Sequence, residues 1–67
     1  MMNLYNEILD NYNNCVRNYN AMKKLYDEVV EANSGMIEVF AEELELTKNI
    51  LETASSNLEA ITAMIKK

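Results

Sequence analysis

Sixty-seven residues make at most one small domain, and such a chain, burying only about 60% of its unfolded surface, needs support from a disulfide, a metal or another chain. A single cysteine, Cys15, and no histidine exclude an intrachain disulfide and the common zinc arrangements, leaving association. A formal charge of −5, from 11 acidic and 6 basic side chains, argues against nucleic acid and anionic membrane surfaces as partners.

The first predicted element is a helix over about residues 3–32, with Asn3 as its candidate N-cap. Proline is absent and Gly35 is the only glycine, so almost nothing interrupts helical periodicity. Tyr5, Tyr12, Tyr19 and Tyr26 recur every seven residues, and Ile8, Cys15, Met22 and Val29 fall between them at alternating steps of three and four. Residues 4–31 read as four sevens, LYNEILD, NYNNCVR, NYNAMKK and LYDEVVE. With the tyrosines at heptad position a and the Ile8 series at d, the 3.5-residue repeat specifies a seam that supercoils against a partner helix. The tyrosine stripe reads as core packing rather than as a redox or stacking ladder, because two helices enclose no cofactor-sized cavity. A tyrosine can bury its ring while its hydroxyl reaches water at the edge of a thin bundle. Cys15 reads as a small buried hydrophobe, since a reactive thiol needs exposure and a nearby cation, and Arg17 points elsewhere.

The second predicted element is a turn at about 33–35. Asn33 tolerates the left-handed conformation that ends a helix, and Ser34 is a good N-cap for the next one.

A second helix follows over about 35–66. Ile37, Leu44, Leu51, Leu58 and Ile65 hold position a, and Phe40, Thr47, Ala54 and Ile61 hold d. Glu38, Glu45, Glu52 and Glu59 repeat at the outward b position and read as a solvated column. Side chains seven apart sit about 10.5 Å apart along a helix, too far for a shared metal or an acid–base pair. Glu42 and Glu43 are adjacent and diverge by about 100°. No acid, base or nucleophile has a partner, so neither an enzyme nor a cofactor is expected.

The two heptad registers meet at the turn. Paired antiparallel about Asn33, with facing residue numbers totalling 66, they give the layers Val29–Ile37, Tyr26–Phe40, Met22–Leu44, Tyr19–Thr47, Cys15–Leu51, Tyr12–Ala54, Ile8–Leu58 and Tyr5–Ile61. The two central tyrosines meet the two smallest seam residues, which keeps the seam volume even. The expected fold is therefore all-α, a two-helix antiparallel coiled-coil hairpin. The competing arrangement is one continuous helix of about 95 Å, since the phase change near Gly35 equals a four-residue stutter.

More apolar residues remain than a two-stranded seam uses. Leu4, Leu25, Met36, Ile50 and Met64 hold position g, with Val39 and Leu46 beside them at c, and these seven are the candidate partner interface. Leu9, Val16 and Val30 form a smaller stripe at e on the opposite flank. An arc this wide belongs to a bundle of more than two helices, formed by dimerisation into a four-helix bundle or by packing on a partner.

The functional expectation is a non-enzymatic protein–protein interaction module: adaptor, co-chaperone or self-assembling bundle, the homodimer being the expected assembly. By architecture alone, the hairpin resembles the small helical-hairpin chaperones and co-chaperones, such as those of type III secretion needle subunits. The alternative is an acidic, phage-type inhibitor that occupies a basic surface of a host protein, with the glutamate column, Glu42 and Glu43 as its working face. An RNA-binding hairpin like the small regulators of plasmid copy number would need more than Arg17, Lys23, Lys24 and the pair Lys66 and Lys67. No apolar run approaches the ~20 residues of a membrane span, and neither a signal pattern nor a second cysteine is present, so a cytoplasmic setting is expected.

Overall fold

The heptads of both halves settle into two long helices, α1 over Met2–Glu31 and α2 over Ile37–Ile65. The structure, a computed structural model, describes residues 2–66. Lys67, half of the C-terminal basic pair, lies outside the described residues. The helices pack against each other with no strand among the described residues, and the longest dimension is 51 Å. That length is about one 30-residue helix at 1.5 Å per residue plus a turn, and it excludes the continuous rod.

The reversal is made by hydrogen bonding that the sequence signalled in part. Asn33 is left-handed, at φ 54°, the only non-glycine residue of positive φ among those described. The Ser34 amide donates to the Val29 carbonyl at 3.2 Å and the Asn33 amide to the Val30 carbonyl at 3.0 Å. This paired six-to-one and five-to-two closure satisfies carbonyls that the end of α1 would otherwise leave open. Gly35, the residue most permissive of that conformation, does not adopt a positive φ, and asparagine takes the left-handed position instead.

Three sequence expectations are corrected here. Ser34 Oγ does accept a hydrogen bond from the Met36 amide, at 3.1 Å, but regular helix begins only at Ile37, after a turn through Gly35 and Met36. Asn3 is already helical, because α1 extends to Met2, so it is not a cap. Ile65 lies past the last layer at the open end of the hairpin and is exposed.

The remaining seam positions, sixteen in all, are buried or half-buried. Cys15, Ala54 and Ile61 are the only buried apolar residues among those described, which is what a core only two helices thick allows. Open grooves run between the helices: Leu4 and Ile8 line one with Asn57, Ala60, Ile61 and Met64, and Asn11 lines another with α2 residues between Leu46 and Asn57, the antiparallel order of the expected register. Thr47, facing Tyr19 in that register, donates its hydroxyl to the Glu43 carbonyl one turn back at 2.7 Å, so the hydroxyl makes no demand on the seam.

Candidate functional site

One geometric relation organises the surface. On α2 the residue immediately before each seam position is Met36, Val39, Glu43, Leu46, Ile50, Thr53, Asn57, Ala60 or Met64. A one-residue step rotates a side chain by about 100° around the axis, so this set is a second three–four repeat on a face roughly perpendicular to the first. The residues immediately after the seam positions include Glu38, Glu45, Glu52 and Glu59, all exposed, and they lie about 100° round in the other sense. The hairpin is thus a ribbon with one broad face apolar along α2 and the other acidic along α2.

The apolar broad face contains every residue chosen from the sequence. Ile50 and Met64 are the most open of the seven, at 59% and 60%, and Leu46 is 56% exposed. Leu4, Leu25, Met36 and Val39 are each about half exposed. Large apolar side chains left this open in a row mark contact surfaces more often than accidents of composition do. Leu46 and Ile50 line one shallow groove and Leu4 and Met64 the next, with Asn57 common to both, so the two grooves are continuous along the ribbon. Leu25, Met36 and Val39 lie toward the turn, outside these two grooves.

Sequence reasoning passed over Asn11, Asn49, Thr53, Asn57 and Ala60, which also line the grooves. All but Asn49 directly precede a seam residue, so the same one-residue offset finds those four. Hydrophobicity hid them. The smaller stripe on the acidic side is weaker, since Leu9 and Val16 are half-buried and only Val30 is exposed.

The chemistry available elsewhere is thin. Cys15 is a free thiol enclosed in the seam, its Sγ 4.0 Å from Asn11 Oδ1, a weak contact within one helix. Among the described residues no three Cys, Asp or Glu side chains cluster to hold a metal, and no helix is long and apolar enough to cross a membrane. Compared with known protein families, with curated proteins and with solved structures, the chain matches none.

Proposed function

We propose that this chain is a non-enzymatic protein–protein interaction module, acting as an adaptor, a co-chaperone or a self-assembling bundle. The observation that carries the reading is the row Met36, Val39, Leu46, Ile50 and Met64, exposed along one side of a helix whose adjacent side already packs in the hairpin seam. A helix apolar on two neighbouring sides is built to be shared between two partners. The grooves beside Leu46 and Ile50 suit an amphipathic helix, which would dock through apolar residues at three- and four-residue spacing.

The exposed glutamate column supports a second reading, an acidic inhibitor laid against a basic surface of another protein. The two readings differ in salt response. Association through carboxylates weakens steeply as the screening length falls below ~8–10 Å, whereas association through the apolar face does not.

A photo-crosslinking residue tests the first reading directly in the cells that make the protein. Placed at Ile50 it should yield discrete protein adducts, and placed at Glu52 on the acidic side it should yield few. Equal yields, or none from position 50, would remove the apolar face from the function. Adducts from Glu52 alone would transfer the case to the acidic inhibitor.

A further inference from the structure

The partner of the apolar face can be inferred from the order of residues along it. We propose that the face binds a second copy of this chain, α2 against α2 in antiparallel sense, stacking two hairpins into a four-helix bundle. This rests on the interaction reading above and names the occupant of that surface.

Three observations carry it. The first is self-complementarity. Let the stripe pair with itself by the rule that governs the seam, each member of one heptad series facing a member of the other. With the twofold axis beside residue 48, Leu46 then meets Ile50 of the second copy, and the reverse contact repeats across the axis. Met36 meets Ala60, Val39 meets Asn57 and Glu43 meets Thr53, and Met64 lies past the paired stretch. The two open branched residues gather at the centre, and the longest side chain faces the smallest. A surface that complements itself this way is what a twofold dimer requires.

The second observation is the contrast between the helices, which selects the symmetry. Two stacked ribbons can be related by an axis along the helices, setting α2 over α1, or across them, setting α2 over α2. On α1 the equivalent stripe reads Leu4, Glu7, Asn11, Asn14, Asn18, Ala21, Leu25 and Glu28. Setting α2 over this mostly polar row would bury Ile50 and Leu46 against asparagine and leave amides short of partners. The crosswise axis matches apolar with apolar and leaves the polar rows of the two α1 helices together at a wet edge.

The third is area. The ribbon measures 51 by 14 Å across its broad face, about 700 Å² per chain, so two faces in contact over both helices cover at most about 1,400 Å², which reaches the ~1,200–2,000 Å² typical of stable specific interfaces only if the α1 rows also meet.

The test is the mass of the purified full chain by sedimentation equilibrium over a concentration series. The wild type is expected at twice 7.7 kDa, with association no weaker at high salt, because screening relieves repulsion between two chains of charge −5. Ile50→Glu should weaken association on the order of 100-fold or more by placing uncompensated carboxylates beside the axis. It should leave far-UV helicity intact. Val30→Glu, at an exposed apolar residue on the other flank, should remain dimeric. A monomeric wild type, an unaffected Ile50→Glu, or equal dissociation by Val30→Glu overturns the proposal. If the wild type is monomeric yet position 50 still crosslinks to a different protein, only the self-pairing fails and the interaction reading stands.

A spin label at Ala63→Cys in a Cys15→Ala background fixes the symmetry. Antiparallel α2 pairing about residue 48 separates the two labels by about 45 Å along the axis at 1.5 Å per residue. A separation of about 20 Å, the same as for a label at Asn49→Cys, would mean the lengthwise axis and overturn the arrangement.

Discussion

The two helices are nearly equal in length and share one seam, yet their surfaces differ. One residue before the seam, α1 is chiefly Asn and Glu, with Leu4 and Leu25 near its two ends, whereas α2 is Met, Val, Leu and Ile at five of nine positions. Apart from Leu4 and Leu25, that side of α1 is polar or small, whereas α2 leaves Leu46 and Ile50 open on a side adjacent to its seam. The hairpin is therefore asymmetric: both helices form the seam, and α2 carries more of the exposed apolar surface.

Substitutions can break that contrast in graded steps. The largest effect is expected at Ile61, which is 4% exposed on the seam side of α2. Ile61→Ala should cost on the order of 2–5 kcal/mol, the range for emptying a buried aliphatic site. Urea melts at matched chain concentration measure it, because association adds to apparent stability. A loss under about 1 kcal/mol would show that the inner seam is not what holds α1 to α2.

A smaller effect is expected where the helices are joined. Asn33→Val should destabilise by about 1–2 kcal/mol, since a β-branched residue strains at φ 54°. Asn33→Gly should be neutral or slightly stabilising in the same melts. If valine were tolerated as well as glycine, the left-handed turn would not be what reverses the chain.

The smallest effect belongs to the outside of α1. Asn13→Lys, at an exposed position away from both the seam and the apolar face, should change stability by no more than about 0.5 kcal/mol and leave the mass in solution unaltered. A large response there would mean that α1 has a second working side after all.

Much of this was legible in the residues. Tyrosines at a strict spacing of seven and the Ile37, Leu44, Leu51, Leu58 series prescribe helices with seams, because only a 3.5-residue repeat keeps such side chains on one side of a helix. Asn33 and Ser34 marked the reversal by their chemistry: a short amide that tolerates the left-handed region, and a hydroxyl that accepts from a free amide. The seven candidate interface residues could be chosen because they were apolar and surplus to a two-stranded seam.

Other features depended on three dimensions. Position in the chain could not rank Ala54 and Ile61 as enclosed while Ile65, on the same seam, stays open at the ribbon's end. Periodicity carries no information about where packing partners run out. The helix boundary at Ile37, two residues past the expected start, follows a turn in which the Met36 amide donates to the Ser34 hydroxyl, a local bond that competes with helix propensity. Thr53, Asn57 and Ala60 joined the candidate surface only once the second helix stood beside the first, because a groove is a property of two surfaces. The sequence by itself determined two helices, one shared seam and a surplus of apolar side chains, since each follows from periodicity along a single chain. The tertiary structure decided that most of this surplus lies on one broad face opposite an acidic one, because only the antiparallel pairing fixes which sides of α1 and α2 look the same way.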